Sequence, residues 1–159
     1  MLARSLVTRL GIVCAAIAIA GCAETDPEIV AIEYLRATRE AQSDTALTYL
    51  DMDEIADRVS AEIVLVNPDG DSDSFLRESV SSLIWGLFQE TPREDLAYDA
   101  TPADVNGDRA TVRVTLLDAE GGERTRTVHL RRTDAGWKVS GRSLDHLVSY
   151  AITRLEERF

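Results

Sequence analysis

Two histidines, two cysteines and four tyrosines are the nucleophile and proton-shuttle stock of this 159-residue chain. General acid–base work needs a shielded carboxylate beside a tyrosine or a second acid. Only Tyr34, Tyr98-Asp99 and Asp104 suit that role. Tyr98 and Asp99 are neighbours in a predicted strand, so they point to opposite faces and cannot share a pocket. His129 falls on a predicted outward strand face and His146 on the last predicted helix. Apart from Cys22, every cysteine candidate lies in the amino-terminal apolar run, so no zinc set assembles and no metal is expected. Asp69, Asp71 and Asp73 alternate as in calcium loops, but Ser74 and Val80 stand where an EF-hand needs Gly and Glu. That stretch reads as a solvated, helix-capping loop. No Gly-rich phosphate loop, nucleophile elbow or HExxH is present, so no catalytic residue and no cofactor are assigned.

The thiol with a clear chemical context is Cys22. Arg4 and Arg9 lead into an apolar run over Leu10–Ala20, and Ile19-Ala20-Gly21 precedes the cysteine. A charged lead, an apolar segment and small residues before a cut form the layout of a secretory signal. The run is too short for a spanning helix, which needs about 20 apolar residues. The expected organisation is a signal peptide over 1–21, a tether over 22–26 and one domain over 27–159.

Aliphatic, small, small, Cys resembles the lipobox of bacterial lipoproteins. The resemblance implies diacylglyceryl transfer to Cys22, cleavage before it and further acylation of the freed amine. Two or more acyl chains hold a protein stably where one holds it only marginally. Ala23, where Asp would signal inner-membrane retention, implies the periplasmic face of the outer membrane in a Gram-negative host. In any other host a lipidated Cys22 implies the outer face of the cytoplasmic membrane. Beyond Cys22 the domain has no cysteine, so packing alone must hold it.

Charge is lopsided within the net −11. Residues 22–108 carry 21 acids against 5 arginines, whereas 109–159 carry 7 acids against 10 bases. Nucleic-acid binding wants a concentrated basic footprint and is not expected.

Helical spacing dominates the first half and period two the second. Asp26-Pro27 starts a helix whose apolar stripe runs through Ile29, Val30, Ile32, Tyr34, Leu35 and Ala41. Ser43-Asp44 is expected to cap a second, Thr45–Leu50. Met52, Ile55, Val59 and Ile63 continue at helical steps, with Ile63–Val66 open to either helix or strand. After the Asn67–Asp73 loop, a strong helix carries Leu76, Val80, Leu83, Ile84, Leu87 and Phe88 until Thr91-Pro92. Leu96–Val105 is a predicted strand that Pro102 marks as an edge or bulge. Turns at Asn106-Gly107-Asp108, Glu120-Gly121-Gly122 and Asp134-Ala135-Gly136 separate the strands that follow. Ser143–Phe159 closes the chain as a helix. The fold class is α+β, with helices packed on a curved antiparallel sheet of about four strands and a carboxy-terminal helix.

Tyr34, Trp85, Phe88 and Trp137 are the candidate pocket residues. On the outward sheet face, Arg109, Arg113, His129, Arg131 and Lys138 alternate with threonines. Like charges on adjacent strands are mildly unfavourable, which makes this face a candidate docking surface for anionic headgroups or an acidic partner.

Ala41–Leu50, Asp108-Arg109-Ala110-Thr111-Val112 and Gly136-Trp137-Lys138-Val139 resemble the nuclear-transport-factor-two-like superfamily, and within it single-domain bacterial lipoproteins. The resemblance implies a cone, in which a curved sheet wraps helices around an apolar pocket. Some members are isomerases, dehydratases or epoxide hydrolases, and many only bind ligands or partners. Leu130–Val139 and the helical first half also resemble MlaC-type phospholipid carriers. Those carriers have a longer segment after Val139 and are usually soluble shuttles. The resulting expectation is a membrane-anchored binding or scaffolding domain for a partner protein or small apolar ligand, with homodimerisation through the sheet as a further option. The alternative is a lipid carrier or isomerase-like enzyme using the pocket.

Overall fold

The computed structural model describes residues 25–66, 73–90 and 94–156. The signal, Cys22, most of the Asn67–Asp73 loop and the Thr91-Pro92 stop lie outside them.

Five helices and five strands follow in order: α1 (Pro27–Arg39), α2 (Ser43–Thr48), α3 (Met52–Val66), α4 (Asp73–Glu90), β1 (Leu96–Ala100), β2 (Asp104–Asn106), β3 (Arg109–Asp118), β4 (Glu123–Thr133), β5 (Gly136–Val139) and α5 (Asp145–Glu156). A 3₁₀ turn over Gly141–Leu144 joins β5 to α5. Ile63–Val66 is the last turn of α3, which resolves the helix-or-strand ambiguity.

The sheet is antiparallel in the order β1-β3-β4-β5, with β2 pairing β3 on the edge it shares with β1. Pro102 explains the split. Without an N–H it cannot continue a ladder, and the strand predicted over Leu96–Val105 becomes two edge pieces. Between them, the Ala103 N–H donates to Glu28 Oε1 at 2.7 Å, tying the break to the first turn of α1. Gly107, at φ 63°, makes the β2–β3 turn, a backbone region that glycine enters freely.

Ala110, Val112, Val114 and Leu116 of β3 face inward with Val128 and Leu130 of β4 and Trp137 and Val139 of β5. On this face lies α1, presenting Val30, Ala31, Tyr34, Ala37 and Thr38. The stripe predicted for α1 is rotated from the observed one: Ile29 is 48% exposed. Ile55, Val59, Val80, Ile84 and Phe88 of α3 and α4, with Leu144 and Val148, complete the interior.

Ser43 and Asp44 do not cap α2, whose amino-terminal flank is Gln42. The Ser43 hydroxyl instead accepts from Gln89 at 2.8 Å, and Asp44 Oδ1 accepts from the Trp85 indole N–H at 2.9 Å. Both side chains fasten α2 to α4.

Beyond α2 the chain runs along the free edge of β5. Leu50 bridges Val139 in parallel, the Val139 N–H donates to Tyr49 O, and the Asp51 N–H donates to Val139 O. One sheet edge is therefore covered by the link between α2 and α3.

Candidate functional site

Where helices and sheet part, the interior opens into a cleft of about 720 Å³. Its floor is apolar: Phe88 of α4, Leu116 of β3, Val128 of β4 and Leu144 of the 3₁₀ turn. Tyr34 and Thr38 of α1 contribute the buried polar groups, and Arg39, Arg126 and His146 stand at the lining from three different elements. No carboxylate lines this cleft among the described residues.

Tyr34 is only 6% exposed and meets Phe88 edge-to-face, with ring centroids 6.3 Å apart and planes at 68°. Burial pushes its phenol far above the ordinary tyrosine range, and the Arg39 charge opposes that only weakly. Among the described residues the buried side-chain atom left without a hydrogen-bond partner is Arg58 Nη1, so the Tyr34 hydroxyl is not sealed from solvent.

Arg126 reaches the cleft by strand parity. Opposite Val114, it shares the inward face with Val128 and Leu130, yet it is exposed where they are buried. Arg39 lies 3.8 Å from Glu94, whose other oxygen accepts from Arg124 at 2.7 Å.

The four aromatic candidates separate. Tyr34 and Phe88 line the cleft together. Trp137 is buried but belongs to a second groove of about 780 Å³, between the start of α1 and the β4–β5 turn. Trp85 is a correction: it is 41% exposed and spans α4 to α2 through Asp44, away from either cavity. The groove at Trp137 is the larger, but of the buried core only Val30 and Trp137 line it. Glu33 and Asp134 also mix with Arg132 and Lys138 there. The smaller cleft penetrates the interior and is the better candidate site.

On the outer sheet face, Arg109 pairs Arg131, which in turn pairs Lys138, so three cations lie in one row across β3, β4 and β5. Thr111 pairs His129, with Oγ1 3.3 Å from Nδ1, and Arg113 pairs Thr127. Two of the five candidate docking residues are committed within the chain. Arg131 Nε donates to Asp51 Oδ2 at 2.5 Å, and Lys138 Nζ donates to Thr48 O at 2.6 Å. Arg109 and Arg113 remain exposed.

Asp51 was not anticipated. Buried to 4% exposure, it accepts from Arg131 with one oxygen and from the Glu54 N–H, at 3.1 Å, with the other. Glu54 Oε2 reaches the Gly141 N–H at 3.1 Å. Asp51-Met52-Asp53-Glu54 has the acid-x-x-Glu spacing of a capping box, which is the signal that could have found it. The acids considered for chemistry are elsewhere. Asp99 and Asp104 are exposed, on strands at the sheet edge, and Tyr98 turns inward beneath the Arg36 guanidinium, 5.6 Å from its ring centroid.

Curved sheet, helices across its inner face and a cleft between them define the NTF2-like fold, the cone that the sequence resemblance implied. Consistent with it, a solved structure from Campylobacter jejuni, provisionally named an NTF2-like transpeptidase, superposes with a TM-score of 0.53 at 18% identity, covering 73% of this chain and 98% of that one. That likeness is one of fold. No family model and no curated protein match the chain.

Proposed function

We propose that this chain is a lipid-anchored, ligand-binding domain of the cell envelope that uses the cleft between Tyr34, Phe88, Leu116 and Val128 to hold a small molecule with an apolar body. The observation that carries this reading is a cleft of about 720 Å³ that reaches core side chains, Tyr34, Phe88, Leu116, Val128 and Leu144, beneath a polar rim. Cavities of about 300–1,000 Å³ lined by apolar groups with a few placed polar ones are the usual form of small-molecule sites. Catalysis of the isomerase-like kind has less support, because no carboxylate lines the cleft among the described residues to serve as its base.

Anchoring at Cys22 is part of the proposal and is supported by Arg4, Arg9, Leu10–Ala20 and Ile19-Ala20-Gly21-Cys22. Only four residues separate Cys22 from α1, a reach of about 14–18 Å, so the domain would sit close to the bilayer. Metabolic labelling with alkynyl palmitate tests the anchor: label on the wild-type chain, lost in Cys22→Ala. A mature protein that begins at residue 1 without label refutes it. For the cleft, organic extraction of the purified full chain followed by mass spectrometry should yield a co-purified small molecule. An empty extract from a folded chain that also binds no apolar probe refutes the ligand-binding reading.

A further inference from the structure

We propose that the cleft selects an amphipathic anion, a ligand with one carboxylate, sulfonate or phosphate head on an apolar body. The inference rests on the ligand-binding reading above and names its substrate class.

Acids outnumber Lys and Arg by 28 to 17 in this chain, and the excess sits in residues 22–108. The cleft gathers cations from both the acidic and the basic half. Arg39 from α1, Arg126 from β4 and His146 from α5 converge on it, without a carboxylate among the described lining residues. Convergence of three elements sets it apart from a charged run along one strand.

Arg126 is the residue best placed to hold the head. Its register opposite Val114 aims it to the inward face, and among the described residues it has no ion-pair partner. A guanidinium matches a carboxylate or phosphate through paired N–H donors, and such charge-assisted bonds are the strong ones. Arg39 is only loosely held. Its 3.8 Å contact is to Glu94, and that carboxylate is already engaged by Arg124.

Tyr34 adds a neutral donor. Its ring is buried at the cleft wall beside Phe88, and its hydroxyl, which is not among the sealed unpaired polar atoms of the described residues, can donate to an acceptor atom on a bound ligand. Below it, Phe88, Leu116, Val128 and Leu144 offer only apolar surface, which suits the body of the ligand and not its head. The outer-face arginines Arg109 and Arg113 have the charge but no such cavity behind them.

The test uses the full chain in nanodiscs of zwitterionic lipid, with empty nanodiscs as the blank. Two fluorescent probes share one apolar body: anionic 1-anilinonaphthalene-8-sulfonate and neutral N-phenyl-1-naphthylamine. The sulfonate is expected to bind more tightly. Arg126→Gln should weaken it roughly tenfold, as expected for losing one charge-assisted bond, and leave the neutral probe within about twofold. Arg113→Gln, on the outer face, should change neither. Equal binding of both probes, unaffected by Arg126→Gln, overturns anion selection while the ligand-binding reading stands. Binding of neither probe to a folded chain overturns that reading itself. Extraction from the purified chain separates the sources of the head group: an acyl-chain acid or lysophospholipid points to the membrane, an aromatic acid to a free metabolite. An extract holding only neutral lipid counts against the proposal.

Discussion

Replacing Asp51 by Ala should be among the most destabilising single changes to a charged residue. The carboxylate does two jobs at 4% exposure: it caps α3 through the Glu54 N–H and holds the Arg131 guanidinium. Losing an N-cap costs about 1 kcal/mol. The bond to Arg131 is charge-assisted, which in a buried setting is worth about 1.5–3 kcal/mol. The Arg131 side chain is 34% exposed, however, and water takes over part of its solvation, so about 1 kcal/mol is the better figure. The sum is about 2 kcal/mol, or a fall in Tm of roughly 6–10 °C for a domain of this size.

Urea unfolding followed by circular dichroism at 222 nm measures it as a shift in midpoint at unchanged slope. Asp51→Asn separates the two jobs. Asparagine caps as well as aspartate does, so only the charge is lost, at about 1 kcal/mol. A cycle with Arg131→Met isolates the pair and should return a coupling of about 1 kcal/mol. Refutation is equally concrete: an Asp51→Ala loss below about 0.5 kcal/mol, or a vanishing coupling, shows that the α3 start does not depend on this carboxylate.

Two pH predictions follow from shifted groups. Tyr34 is raised by burial, so the folded state keeps its proton; the stabilisation is complete below the unfolded tyrosine value of about 10 and is lost as pH climbs through the folded one. Absorbance at 295 nm should show one of the four tyrosines ionising only as the chain unfolds in alkali, and that late phase should vanish in Tyr34→Phe. Persistence of the phase in Tyr34→Phe sinks the assignment. Glu94 is held below the usual carboxylate range, first by the Arg124 hydrogen bond, which outweighs desolvation, with the Arg39 and Arg124 charges lowering it further against the Asp118 charge. Its contribution is present above the unfolded value of about 4.3 and disappears as pH falls through the folded one. Glu94→Gln should therefore flatten the acid limb of the stability curve and barely alter stability at pH 7, since both partners face screening solvent. Superimposable acid limbs for wild type and variant refute this.

Much of the architecture was legible because burial imposes periods. Val112, Val114, Val128 and Leu130 alternate as a one-sided sheet requires, and Val80, Ile84 and Phe88 recur at helical steps. Pro102 even marked where the edge strand breaks. Contacts between elements distant in sequence were not legible. The Trp85 indole looks like core on a helical wheel, and its partner Asp44 is 41 residues away on a helix whose docking no local pattern encodes. Arg131 likewise looked free for docking until the α2–α3 link brought Asp51, 80 residues earlier, against it.

Arg126 marks a different limit, one of cover and not of pattern. Its parity with Val128 and Leu130 was available from the alternation alone, so the face could be assigned but not its cover. The cover depends on where the helices cross the sheet: α1 lies across β1, β3, β4 and β5 rather than along β4, and the 3₁₀ turn packs on β4 beside it. The uncovered part of β4 is Glu123–Thr127, exposed throughout, while Val128 and Leu130 beyond it are buried. Apolar residues on that end would be an aggregation hazard, and arginines there meet water instead. The cleft lies beside this uncovered end of β4, and its cationic lining is what solubility and anion binding both favour there. Only the probe pair and Arg126→Gln separate these two pressures, because solubility is indifferent to which head group a ligand carries.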